Sequence, residues 1–352
     1  MKKLHNEINK LHFTKVNSCG IIFTKVFKHQ RGMTMTSKKK HSIGYYYLLL
    51  GAVIATWGLD PIVNSAFYKF YSASLVSAIC TFGSAVFFIV MSAKKLKNLN
   101  MDYVKIALPI SILSALANLS QRIGLQYTTP ANYAFLERLS IVIVPIVLYI
   151  LTRKKTSALR IVASVFCLVG CFVFSGAFTD GFAFGIGEIL CSLAGILGGI
   201  NLCLTGVYVK KLDISLYMTI YMSVYFLTSL IMTVGLNAIT DTNGVPLEAL
   251  KYTQSPIIFI VLLIFGLYSV GLCWLMRTEA IKYISPAKVT LLNPLSAVLT
   301  GIVSISIGSD VLSLRFVLGT LLILAAVFMS GIDGIFENNR NKPESEELIN
   351  KS

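Results

Sequence analysis

The chain has 352 residues, of which 55% are hydrophobic and 13% charged, and carries a formal net charge of +15 at pH 7; a soluble domain is about a quarter charged. That balance excludes an ordinary water-soluble fold. Apolar blocks of about 20 residues without alternating polarity also exclude a membrane β-barrel, leaving helices that cross about 30 Å of hydrocarbon.

In chain order, residues 1–43 come first, with ten Lys/Arg against one acid, Glu7. Positive charge gathered before a first span reads as a cytoplasmic retention signal rather than as a nucleic-acid site. The segment has no long apolar run and no small-residue cleavage site, which argues against a secretory signal. Met33 and Met35 stand just before Ser37-Lys38-Lys39-Lys40, and an internal start that leaves residues 1–32 untranslated is expected as an alternative to the full leader. All four His (His5, His12, His29, His41) fall in this leader. Six of the seven Cys lie in apolar blocks at spacings that indicate neither disulfides nor a metal site, and Cys167 and Cys171, one helical turn apart, read as small apolar filler. No cofactor or metal is expected.

Ten spans follow, predicted at 45–66, 71–92, 103–125, 130–151, 157–176, 184–207, 215–236, 256–276, 286–307 and 314–332. The longest connection, 237–255, holds Asn237, Asp241, Asn243-Gly244 and Pro246, which supply turn chemistry. Residues 333–352, with five acids and three bases, read as a polar cytoplasmic tail. With the N-terminus inside, the even-numbered loops and adjoining span ends carry thirteen Lys/Arg and the odd-numbered ones four. That excess predicts both termini in the cytoplasm.

The chain also repeats itself. Tyr127-Thr-Thr-Pro130-Ala131 through Leu136, Leu139 and Ser140 matches Tyr283-Ile-Ser-Pro286-Ala287 through Leu292, Leu295 and Ser296 at a constant offset of 156. Leu159-Arg160, Val162 and Ser175-Gly176 then match Leu314-Arg315, Val317 and Ser330-Gly331 at offset 155. Five spans separate equivalent positions, and an odd number reverses the direction of crossing. The expected fold is therefore an all-α polytopic membrane protein of ten transmembrane helices in two inverted five-helix repeats, 44–176 and 177–332.

Repeats of this kind, with Ala55-Thr56-Trp57-Gly58 in span one, Gly124-Leu125-Gln126-Tyr127-Thr128-Thr129-Pro130-Ala131-Asn132 before span four and Glu279-Ala280-Ile281-Lys282-Tyr283-Ile284-Ser285-Pro286-Ala287 before span nine, resemble the drug/metabolite transporter superfamily, specifically its EamA-type members. The resemblance covers residues 44–332. It implies alternating access of the two halves and a central cavity lined mainly by spans one, three, four, six, eight and nine. It names no cargo. The chain departs from the family pattern in span four, where Glu137-Arg138 replaces a frequent small or proline residue, while Asn293-Pro294 keeps that pattern in the second half.

Charged side chains inside a span cost about 2.5–3.5 kcal/mol on insertion scales, so those present should face a cavity or one another. Asp60, Arg122, Glu137, Arg138 and Glu188 are the ones to explain, and a shared aqueous cavity in the outward half would satisfy them all. Glu137, expected seven residues into span four, is the candidate for proton coupling; a structural pair with Arg138 or Arg122 is the alternative. Arg138, turned about 100° from Glu137 on a regular helix, suits either a substrate carboxylate or phosphate or the neutralisation of Asp60 or Glu188. Trp57-Gly58-Leu59-Asp60-Pro61 predicts a kink in span one whose freed carbonyls face substrate, with Trp57 stacking on a ligand or sitting in the outer aromatic belt and Asp60 in the pathway or capping the break. Glu188 reads as a helix cap, Gly195 and Gly199 as a close helix crossing, and Asn201 and Asn293 as pathway residues or interhelical hydrogen-bond donors. Arg277, Glu279, Lys282 and Lys288 read as topology charges at the cytoplasmic end.

These residues predict a secondary transporter of the plasma membrane that moves a small polar metabolite, most plausibly exporting an amino acid or related compound, by alternating access with proton coupling or exchange. No Walker phosphate loop is present to make it an ATP-driven pump. The alternatives are a membrane-embedded enzyme acting on a lipid or isoprenoid carrier, against which the absence of His from the spans counts, and a lipid scramblase or non-transporting partner.

Overall fold

A bilayer core offers no water to backbone groups, so each apolar block must pair its own N–H and C=O groups, which a helix does. The computed structural model describes residues 42–67, 71, 73–127, 136–153, 157–175, 185–239, 256–308 and 312–349. The basic leader with its internal start, the first residues of the predicted fourth span and the connection around Asn243-Gly244 lie outside the described residues.

Ten apolar helices follow in order: α1 (Ile43–Phe67), α2 (Ala73–Ser92), α3 (Met101–Gln126), α4 (Ser140–Thr152), α5 (Ala158–Ser175), α6 (Ile186–Tyr208), α7 (Ile214–Ile239), α8 (Pro256–Ile281), α9 (Pro286–Ser306) and α10 (Leu314–Ile349). Eight are long and apolar enough to cross a membrane, and α4 and α5 are shorter apolar helices. The chain is thus an all-helical, multi-pass membrane protein. Outward side chains such as Ile257, Ile264, Ile231 and Phe328 are exposed, as expected where lipid is the solvent.

Four elements differ from the sequence expectation. The predicted fourth span is not one helix: a helical pair at Leu136 and Glu137 gives way to a turn at Arg138 and Leu139 before α4 begins at Ser140. Glu137 therefore stands just before an interruption rather than in a helix interior. α8 runs to Ile281, past the expected end at 276, and contains a π turn at Leu267–Leu272; the charge of Arg277 looks like a boundary in the sequence but lies inside the helix. α10 continues to Ile349, past the expected end at 332 and through Pro343. α1 passes through Gly58 and Pro61 as one helix, so Asp60 caps no break there.

Gly58 serves a crossing instead. A Cβ there would lie 2.8 Å from Leu299 Cδ2 and 3.0 Å from the Ser296 carbonyl oxygen on α9, and the Gly58 carbonyl accepts a 2.6 Å hydrogen bond from Thr300. On the other side of the bundle Gly199 of α6 meets Ile143 and the Cα of Ser140 on α4, each at 3.3 Å. Leu299 and Ile143, and likewise Ser296 and Ser140, are 156 residues apart, the offset of the sequence repeat.

The main packing partners are α5 with α10, α2 with α7, α3 with α6 and α7, α1 with α9 and α8, α4 with α6 and α9, and α2 with α8. Exchanging each helix for the one five places along turns α3·α6 into α8·α1, α3·α7 into α8·α2 and α4·α6 into α9·α1, and leaves α2·α7, α5·α10 and α4·α9 unchanged. Apolar clusters fill these seams. One joins Tyr46 and Leu50 of α1 to Val144, Leu202 and Ile281, and another sets Cys167 and Cys171 among Ile141, Leu291 and Ile323 as free buried thiols.

Candidate functional site

The π turn of α8 widens the helix and offers one residue, Ser269, to two groups on α1. Its carbonyl accepts the Trp57 indole N–H at 3.2 Å, and its hydroxyl donates to Asp60 Oδ1. The second Asp60 oxygen accepts from Asn64 Nδ2 at 2.7 Å. Trp57 and Asp60, one turn apart on α1, are in this way both docked onto α8.

One turn beyond the π turn, Trp274 and Arg277 stand three residues apart on the same face of α8. The Arg277 guanidinium carbon lies 4.9 Å from the centre of the Trp274 ring and 5.5 Å from that of Trp57, and the two rings are 5.7 Å apart. Tyr221 of α7 packs 5.2 Å from Trp274 and 5.7 Å from Tyr217. Arg277 is only 9% exposed, its Nε has no hydrogen-bond partner, and among the described residues no carboxylate forms an ion pair with it. Arg277 is therefore not a topology charge at a helix end.

A row of polar contacts continues from this box across α3, α6 and α7. Ser114 and Tyr221 share a 2.5 Å hydrogen bond, Tyr225 donates to Asn118 Oδ1 at 2.9 Å, and Asn201 Nδ2 donates to the Ile110 carbonyl at 2.7 Å. Asn201 is buried and joins α6 to the α3 backbone.

The other predicted residues are placed as follows. Glu137 and Arg138 approach to 3.9 Å, with side chains 36% and 20% exposed. The carbonyls of Leu136 and Glu137 lie against Gly195, where a Cβ would come within 2.6 Å and 3.0 Å of them. Glu188 accepts the Gly185 N–H at 2.9 Å and caps α6. Asn293 lies at the second interruption, between Pro286–Leu292 and Pro294–Ser306, and its carbonyl accepts from the Ser296 hydroxyl at 2.8 Å. The Arg122 side chain lies outside the described residues. Trp57 and Asp60 thus share Ser269, Glu137 and Arg138 pair just before α4, and Glu188 caps α6. Sequence reasoning missed Arg277, Trp274, Ser269 and Tyr221. The signal was present in Trp274-x-x-Arg277, a cation one turn from one of only two tryptophans in the chain. Among the described residues no three His, Cys, Asp or Glu converge.

Residues 42–176, which contain α1 to α5, match the EamA-like transporter family. The chain carries an EamA transporter domain. The whole chain is a multi-pass membrane protein by its apolar helices. Among 29 solved chains that match, one described as "Crystal structure of protein" superposes with a TM-score of 0.65 at 13% identity, covering 83% of this chain and 98% of that one; the likeness is one of fold. No curated protein matches the chain.

The connections α2–α3, α6–α7 and α8–α9 are tied together at one end of the bundle. Lys95 makes a 2.8 Å ion pair with Asp213 and a 3.1 Å hydrogen bond to Ser215, and Lys282 donates to the Leu212 carbonyl at 3.0 Å. Asp213 also caps α7, accepting the Ser215 N–H at 2.9 Å. Burial opposes ionisation of Asp213, but hydrogen bonds from Lys95 and Ser215 and the Lys95 charge outweigh it and hold the carboxyl down at about 2.

Proposed function

We propose that the chain is a secondary transporter of the plasma membrane that exports an amino acid or a related small polar metabolite by alternating access, driven by proton coupling or exchange. The observation that carries this reading is the pair of interruptions in the fourth and ninth spans, at Arg138–Leu139 and at Asn293. The helices are interrupted there without unwinding, since Leu139 and Asn293 keep right-handed helical dihedrals, and breaks at matching positions of two halves are where transporters build central sites. Glu137 and Asn293, which correspond at offset 156, stand at these two points.

The pathway residues on this reading are Trp57, Asp60, Arg122, Glu137, Arg138, Asn201 and Asn293, with Glu137 exchanging the coupling proton. The halves are inverted repeats, 44–176 and 177–332, with both termini in the cytoplasm. The exchange pattern of helix pairs and the matched Gly58 and Gly199 crossings support the repeat, and the excess of Lys/Arg in the even-numbered loops supports the orientation.

Uptake by purified protein in vesicles, measured across an amino-acid and metabolite panel under an imposed pH gradient, tests the proposal. With one proton per cycle a gradient of about one pH unit sustains about tenfold accumulation. Wild type should show saturable, gradient-dependent flux, and Glu137→Gln should retain binding but lose the gradient dependence. Equal flux and equal pH dependence in both proteins would remove Glu137 from the mechanism.

A further inference from the structure

We propose that Arg277, held between Trp57 and Trp274, is the subsite that binds the carboxylate of the cargo, so that the transported molecule is a carboxylate-bearing organic anion or zwitterion. The inference rests on the transporter reading and assigns the residue that recognises the carboxylate of its cargo.

A guanidinium that serves packing alone normally has a carboxylate partner, because a buried charge without one is costly. Arg277 has none among the described residues, although it is one of the most buried charges described. Asp60, on the neighbouring helix, is held by Ser269 and Asn64 instead. What Arg277 has is two indole rings. Cation–π contact engages the charge and leaves the N–H donors free. The orphaned Nε is one of those donors, and the guanidinium fork matches a carboxylate bidentately.

The surroundings suit an organic carboxylate better than a bare inorganic ion. Trp57 and Trp274, both only partly buried, set their rings beside the charge, where an apolar or planar body can cover them.

Trp57 and Trp274 are the only tryptophans in the chain, so indole fluorescence reports on this site alone. Purified full-length protein, excited where tyrosine does not absorb, is titrated with L-leucine, L-glutamate and acetate, with L-leucinamide as the uncharged-end control, and with inorganic phosphate. A saturable change is expected for at least one carboxylate and none for the amide. Arg277→Gln should abolish the response, while Arg277→Lys, which keeps the charge but loses the fork, should shift it to about tenfold higher concentration. Size-exclusion profiles confirm that each variant is folded. A response of wild-type strength in folded Arg277→Gln overturns the proposal, as does a wild-type response to phosphate with none to any carboxylate, or to no anion at all. Flux that survives Arg277→Gln with unchanged affinity defeats the subsite but leaves the transporter standing. A carboxylate response without flux for any panel member upholds the subsite and defeats the transport reading.

Discussion

Arg277 illustrates how a single side chain is tolerated where it should not be. Placing an arginine within a span costs about 2.5–3.5 kcal/mol on insertion scales, and each of two desolvated cation–π contacts returns about 1–2 kcal/mol. The two terms nearly cancel, so the tryptophans hold the cation in place without a carboxylate and leave its donors uncommitted. Glycines act at the same scale through what they omit. Gly195 and Gly198 lie three residues apart on α6, yet a Cβ at Gly195 would sit 2.6 Å from the Leu136 carbonyl oxygen, while at Gly198 nothing lies within 4 Å. Gly195→Ala should therefore destabilise the protein by about 1–3 kcal/mol through overpacking against the α4 interruption. Gly198→Ala should be neutral or stabilising by up to about 1 kcal/mol through helix propensity. Thermal unfolding of the two variants in detergent checks the contrast, and equal effects would mean that α6 does not press on the interruption.

Among the elements, α7 depends on its N-terminal cap. Asp213 accepts the Ser215 N–H and pairs with Lys95, so Asp213→Ala should cost about 1 kcal/mol from the cap, whereas Asp213→Asn keeps the cap and loses only a partly exposed ion pair, about 0.5 kcal/mol. The folded carboxyl titrates at about 2 against an ordinary 3.8, so it binds fewer protons folded than unfolded. Its contribution is complete above pH 3.8 and is lost as pH falls toward 2; the wild-type advantage over Asp213→Asn in melting temperature should shrink across that window. Helix positions were legible in the sequence because apolar length determines them, as α2, α6 and α9 show. The interruption at Arg138–Leu139 and the π turn at Leu267–Leu272 were not, because both are backbone adjustments to neighbouring helices: Gly195 presses on the first, and Trp57 and Asp60 dock on the second. For the same reason Glu137 and Asp60 could be singled out by type, while their partners could not.

At the scale of the whole molecule, the repeat visible at offset 156 reappears as packing. The Gly58 crossing on Leu299 and Ser296 and the Gly199 crossing on Ile143 and Ser140 use residues that the sequence repeat equates. The charge pattern needs one revision, since Arg277 is enclosed within the bundle and leaves the topology count at twelve against four. The direction of that inequality is unchanged. The Arg277 box was beyond sequence reasoning because it is assembled from α1, α7 and α8, which only folding brings together. If the chain works as the two halves proposed above, it should open to one side at a time. Trans-stimulation tests this most directly: uptake of a labelled amino acid from the panel into vesicles containing the purified protein and preloaded with the same compound unlabelled. Alternating access predicts uptake that saturates and is faster into preloaded than into empty vesicles. Uptake linear in concentration and indifferent to the internal compound would contradict it.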